Sequence, residues 1–171
     1  MSKTCSLLLL IRGDGADAEI LLAMKKRGFG AGRWNGVGGK VDPGETIEQA
    51  TVRECQEEIG VTPLKYESVA VHDFTFPDGV PDMQVHTYVS REWTGEPVET
   101  DEMAPRWFKT SGIPYNDMWQ DDIFWLPAVL LGKKLRTSFA FDEHDNLQSM
   151  HITVMDDLLA GIATGASTDL A

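Results

Sequence analysis

Residues 38–61 read GGKVDPGETIEQATVRECQEEIGV, and the reading of this stretch decides the fold. Glycines crowd one end and carboxylates the other. Pro43-Gly44 signals a turn. Thr46-Ile47-Glu48-Gln49 fits a capping box, with Thr46 accepting from a backbone N–H and Gln49 reaching back. The helix opened there runs to Ile59 and stops at Gly60, and Pro63 prevents any continuation. On it, Glu54, Glu57 and Glu58 share an arc of about 100°, while Val52, Cys55 and Ile59 make the neighbouring face apolar. Like charges at i, i+3 and i+4 oppose the helix by about 0.2–0.5 kcal/mol per pair. Such a face is ordinarily a solvated one. A cation seated among the acids reverses the sign, and clustered oxygen ligands suit hard divalent ions, chiefly Mg²⁺ or Mn²⁺. Arg53 lies beside Glu57 and can fix its rotamer through a charge-assisted hydrogen bond.

At 171 residues the chain is long enough for one domain with a real core, and 42% hydrophobic with 25% charged residues is ordinary for a soluble globular protein. No stretch reaches the roughly 18 apolar residues of a spanning helix, so no membrane partner is expected. Leu7–Ile11 is too short for a signal-peptide core and reads as a buried strand. Cys5 and Cys55 form neither a disulfide framework nor a metal-site spacing, so a reduced, cytoplasmic location is expected. The net charge of −12 argues against a nucleic acid polymer as partner. Met24–Val41 nevertheless carries Lys25, Lys26, Arg27, Arg33 and Lys40 without one acid. That patch suits a small anionic ligand, or is a solvated loop.

Strands are expected over Thr4–Arg12 and Ile20–Lys26, joined by the loop GDGADAE, and Arg33–Val41 as an irregular strand through its glycines. Leu64–Phe76, Met83–Trp93 and Arg106–Lys109 read as further strands, and Ser138–Phe141 with Gln148–Val154 as a terminal hairpin. Asp121 or Asp122 can cap a second helix running to about Lys134 and kinked at Pro127. One helix between strands on each side means a mixed α+β class rather than an alternating parallel-sheet fold.

The spacing Gly39, five residues, Glu45, seven residues, Arg53-Glu54, Glu57-Glu58, Gly60-Val61 resembles the box of the Nudix family, G-x5-E-x7-R-E-U-x-E-E-x-G-U with U aliphatic. Every fixed position matches, with Cys55 at an aliphatic one, where a small buried thiol packs adequately. The resemblance implies an α/β/α sandwich, a mixed β-sheet between helices, over residues 1–156; 157–171 is expected to be a tail that frays, since Gly161–Ala171 is small and polar. It further implies a hydrolase that attacks a nucleoside diphosphate linkage with metal-activated water. Glu54, Glu57 and Glu58 are then metal ligands or base candidates, Glu58 being favoured as base. Arg53 orients them, and the Gly38–Gly39–Lys40 backbone shapes the metal and phosphate geometry.

The flanks narrow the resemblance. MKKRGFGAGRWNGVGGKV at 24–41, PVETDEM at 97–103 and NDMWQDDIFWLP at 116–127 are similar to the mammalian branch of that family that hydrolyses oxidised purine nucleoside triphosphates, and the similarity runs from about Ser6 to Met155. It implies that 8-oxo-dGTP and 2-hydroxy-dATP are cleaved to monophosphate and pyrophosphate, cleansing the nucleotide pool, by a monomer using Mg²⁺ or Mn²⁺. Asn35, Asp121 and Asp122 match base-reading positions. Phe29, Phe74, Met83 and Trp119 match pocket walls, Lys25 a cleft residue and Glu102 an acid helping at the metal. Ser6 stands near the base where that branch has Thr, the Arg12–Glu19 loop is longer, and Val37 replaces an aromatic residue. Two close acids cannot easily both ionise, so one can keep a proton and offer a purine one donor and one acceptor. The alternatives are a family member acting on ADP-ribose or dinucleoside polyphosphates, and a non-catalytic nucleotide-binding module. The second typically loses a box glutamate, and this chain keeps them all.

Overall fold

An unbroken apolar run such as Leu7–Ile11 is stable as a strand only when both of its faces are covered. In the computed structural model, which describes residues 2–156, this run lies in β1 (Lys3–Arg12). Leu7, Leu9 and Ile11 point into one core, and Leu8 and Leu10 into another on the opposite face. The tail expected at 157–171 lies outside the described residues.

The remaining strands are β2 (Glu19–Lys25), β3 (Trp34–Asn35), β4 (Thr62–Thr75), β5 (Met83–Thr94), β6 (Met103–Lys109), β7 (Lys134–Phe141) and β8 (Leu147–Met155). They form one sheet in the order β3-β2-β1-β5-β4-β7-β8, with β6 paired to β2. The β1–β5 and β4–β7 pairs are parallel and the others antiparallel, so the sheet is mixed. Helix α1 (Ile47–Ile59) sends Cys55 and Ile59 into the core with Leu8 and Leu10. Helix α2 (Asp122–Leu130) sends Trp125, Leu126 and Val129 into the core with Leu7 and Leu9. The expected sandwich of a mixed sheet between helices is the one observed.

Helix α1 has the expected ends. Thr46 Oγ1 accepts from Gln49 N at 3.1 Å, Gln49 Oε1 accepts from Thr46 N at 2.9 Å, and Gly60 closes the helix at φ 74°. Two expectations need correction. Helix α2 ends at Leu130 rather than near Lys134: Gly132 turns at φ 86°, the N–H groups of Leu131, Gly132 and Lys133 fold back on the last carbonyls, and Lys134 already belongs to β7. Arg33–Val41 is a strand only at Trp34–Asn35, and beyond it touches β1 at the single bridges Leu8–Val37 and Cys5–Lys40. Gly36 and Gly38 press against β1 so closely that a Cβ on Gly38 would overlap the Ser6 carbonyl. Backbone bonds from Ser6 N to Gly39 O and from Leu8 N to Val37 O hold the glycine loop alongside β1.

Candidate active site

On the α1 face the acids are organised by Arg53. Its Nε and Nη2 donate to Glu45 at 2.7 and 2.9 Å, its Nη1 to Glu54 at 3.0 Å and Glu57 at 3.2 Å, and its Nη2 to the Lys40 carbonyl at 3.0 Å. The bond to Glu57 expected from helical spacing is present, and the shorter ones go to Glu45 in the preceding loop. Arg53 pulls the Glu45 pKa down to about 2. Glu58 is buried and accepts from Gly38 N at 3.0 Å. Burial pushes its carboxyl up to about 8, against that hydrogen bond and with repulsion from Glu54 and Glu102 adding to the rise. Burial raises Glu54 as well, in opposition to its bond from Arg53.

Glu54 and Glu58 fit a hard divalent cation. Burial raises both carboxyls despite the bonds they accept from Arg53 and Gly38, and they stack one helical turn apart beside the glycine loop. A Cβ on Gly39 would stand 2.5 Å from Glu54 Oε1, so only glycine leaves this carboxylate its place. As the side chains stand, no three acids, histidines or cysteines among the described residues converge as metal ligands do. Arg53 holds Glu57, and Arg27 holds Glu102 at 3.2 Å, and each bond leaves its carboxylate further lone pairs for a cation.

On the other face, a cavity of about 280 Å³ opens between the glycine loop, β1, β4 and the start of α2. Trp119 stands in its wall, stacked on Phe29 with ring centroids 5.3 Å apart, and the Arg33 guanidinium lies 4.1 Å from the Trp119 ring. Asp145 fixes that guanidinium at 2.9 Å. Asp121 and Asp122 lie below. Asp121 is not the cap expected of it: its backbone is helical at φ −74°, ψ −26°, and its side chain makes no cap bond. Instead the Trp125 indole N–H donates to Asp121 Oδ2 at 2.9 Å and to Asp122 Oδ1 at 3.1 Å. Burial raises both carboxyls, and the neighbouring Asp121 charge raises Asp122 further, so the pair holds a proton above the ordinary carboxylate range.

Five buried side-chain polar atoms lack a partner among the described residues, and four belong to residues of this cavity: Ser6 Oγ, His72 Nε2, Asp121 Oδ1 and Asp122 Oδ2. Buried polar atoms without partners are uncommon in native structures, so four around one cavity mark a polar ligand. Asn35 Oδ1 accepts from Gly36 N at 2.9 Å, which leaves the side-chain NH₂ for that ligand.

Residues 3–129 match the family described as NUDIX domain, most of the length of the chain. The chain belongs to the Nudix family. It is 43% identical over 157 residues to an oxidized purine nucleoside triphosphate hydrolase of Danio rerio, covering 92% of this chain and 98% of that one. A Mus musculus protein of the same description is 43% identical over 155 residues, covering 91% and 97%. A MutT protein from Bacillus halodurans superposes with a TM-score of 0.75 at 24% identity, covering 88% of this chain and 97% of that one, a likeness of fold.

Within this Nudix chain the structure brings Ser6, Lys25, Phe29, Asn35, Gly38, Phe74, Met83, Trp119, Asp121 and Asp122 to one cavity, and Arg53, Glu54 and Glu57 to one network on α1. Gly38 joins the two, since it lines the cavity while its N–H holds Glu58. Glu102 is held by Arg27, and its charge bears on Glu54 and Glu58. The cationic stretch divides: Lys25, Arg33 and Lys40 line the cavity, whereas Lys26 pairs with Glu99 at 2.6 Å and Arg27 with Glu102. Sequence reasoning missed His72, Phe76 and Phe141 in the cavity wall. For His72 the available signal was a histidine among alternating apolar residues of a strand.

Proposed function

We propose that the chain hydrolyses oxidised purine nucleoside triphosphates, 8-oxo-dGTP and 2-hydroxy-dATP, to monophosphate and pyrophosphate with Mg²⁺. One observation carries the reading: two adjacent buried acids with partnerless oxygens line a cavity together with Lys25, Lys40 and the glycine loop, and Gly38 of that loop holds Glu58 of α1. The descriptions of the fish and mouse relatives support it. The base lies against Trp119, contacts Asn35 and reads the shared proton of Asp121 and Asp122. Swapping that proton inverts the donor–acceptor pattern, so one pocket accepts both purines. Phe29, Phe74 and Met83 wall the base and Ser6 lies beside it, while Lys25 and Lys40 meet the phosphates.

Glu54, Glu57 and Glu58, with the Gly38 backbone and Glu102, would hold the divalent ion, which when bound supplies charge neutralisation and a more acidic water. Arg53 sets the rotamers of Glu54 and Glu57, and Glu58 accepts the proton of the attacking water. The same reading has the enzyme acting as a cytoplasmic monomer on a small nucleotide, and the net charge of −12 supports the exclusion of nucleic acid polymers.

The test is pyrophosphate release with Mg²⁺ from dGTP, 8-oxo-dGTP and 2-hydroxy-dATP, with ADP-ribose turnover alongside and Glu58→Gln as control. Fast turnover of the oxidised purines, lost in the variant, is expected. Preference for ADP-ribose, or no turnover at all, sinks the proposal.

A further inference from the structure

A histidine in mid-strand facing a core is costly unless both ring nitrogens are satisfied. His72 of β4 is fully buried on the side of the sheet that carries α2, its ring centroid 4.4 Å from that of Trp125 and 5.8 and 6.2 Å from those of Phe74 and Phe139. Its Nδ1 lies 2.7 Å from Thr137 Oγ1 on β7. Its Nε2 has no partner, and the residue lines the cavity together with Asp121 and Asp122.

The hydrogen-bond inventory decides the tautomer. If Nδ1 carries the proton and donates to Thr137, the buried Thr137 hydroxyl proton and the Nε2 lone pair are both left unmet. If Thr137 donates to Nδ1, the unmet donor is the Nε2–H, on a residue that lines the cavity as Thr137 does not. The second arrangement puts the unmet donor where a ligand can meet it, whereas the first strands a hydroxyl proton away from the cavity. Burial also holds the ring neutral, its pKa pushed down to about 3 with the charge of His86 adding to the fall.

We propose that His72 is a specificity-determining residue of the base pocket, donating Nε2–H to an acceptor atom on the purine, a carbonyl oxygen or ring nitrogen. The assignment rests on the oxidised-purine reading above and adds to it. The acid pair below can exchange its proton and accept either hydrogen-bonding pattern. His72 cannot, because Thr137 fixes its tautomer and burial denies it a second proton. An acceptor at that edge of the base is therefore rewarded, and a donor there meets N–H with N–H. Such a fixed group ranks the purines that the acids alone admit equally.

The test uses the full chain with ¹⁵N-labelled imidazole. Wild type should show the Nε2–H tautomer at His72, and its resonance should shift as 8-oxo-dGMP saturates the protein, followed by intrinsic tryptophan fluorescence. His72→Leu should lose roughly ten-fold in kcat/KM on the best oxidised purine, through KM, and less on the others, the scale of one buried neutral hydrogen bond. His72→Gln, which keeps an N–H at similar reach, should recover most of the loss. An unmoved resonance at saturation overturns the proposal, as does a His72→Leu variant that loses equally on every substrate or on none. If His72→Leu does not fold, Thr137→Val keeps the ring and frees the tautomer. It should lose a few-fold on the same substrate, and no loss overturns the proposal. A wild type that binds ordinary purine nucleotides but not oxidised ones defeats the oxidised-purine reading instead, and His72 is then judged by the same readouts on the purine that binds.

Discussion

Replacing Asp121 with Asn keeps the shape of the side chain and removes one of the two buried carboxyls below the cavity. The Trp125 indole N–H now donates to Asp121 Oδ2 at 2.9 Å, and an asparagine oxygen can take that place. The amide NH₂ then falls where the partnerless Oδ1 stands, so an acceptor facing the ligand becomes a donor. A hydrogen bond involving a charged group contributes about 1.5–3 kcal/mol, which converts to a loss of roughly 10- to 150-fold in kcat/KM on 8-oxo-dGTP. Stability should move the other way. Burial pushes the Asp121 carboxyl up from an ordinary 3.8 to about 6. A raised carboxyl is fully favourable below its unfolded value and loses that advantage as pH rises to its folded one. The melting temperature of Asp121→Asn should therefore overtake that of wild type between about pH 4 and 6, by about 2–4 °C for each kcal/mol relieved. Pyrophosphate release and thermal unfolding across that range are the assays. A folded Asp121→Asn enzyme with wild-type kcat/KM on 8-oxo-dGTP would refute the base-reading role of the acid pair.

Three further outcomes concern the α1 face. Arg53→Ala should lower kcat by roughly 10²-fold, because it releases Glu45, Glu54 and Glu57 together; it should also abolish the stability that wild type gains from Glu45 above pH 4.5 and loses as pH falls towards about 2, and matching acid-unfolding curves would contradict this. Gly39→Ala should fold, since the carboxylate it meets ends a flexible side chain, but should weaken the response to divalent cation by roughly 10- to 100-fold in a titration of rate against Mg²⁺. Glu58→Gln should lose roughly 10²–10⁴-fold in kcat while melting no lower than wild type. Mg²⁺ at a hundred times its Kd should stabilise wild type by about 2.7 kcal/mol and the variant less, and equal shifts would remove Glu58 from the cation site.

Much of the fold was legible because its signals are local. The capping box and Gly60 delimit α1 by hydrogen bonds within one turn, and the alternation of Leu7 to Ile11 between two cores follows from strand geometry. Signals that cross elements were not legible. Helical spacing pairs Arg53 with Glu57, whereas the shortest bond runs to Glu45 in a loop whose path the wheel does not contain. The acids Asp121-Asp122 look like a cap in one dimension, and their partner is an indole three and four residues on. His72 shows its character only against Thr137 of a strand 65 residues away.

Strand β1 faces two separate cores, and this has a consequence for how such a chain diversifies. The acids of α1 rest on one core, and the walls of the cavity rest largely on the other, with the glycine loop as their common border. Substitutions that reshape the cavity therefore disturb packing that α1 does not share. A lineage can try new bases one residue at a time while its bond-breaking apparatus stays intact, and a protein engineer can do the same.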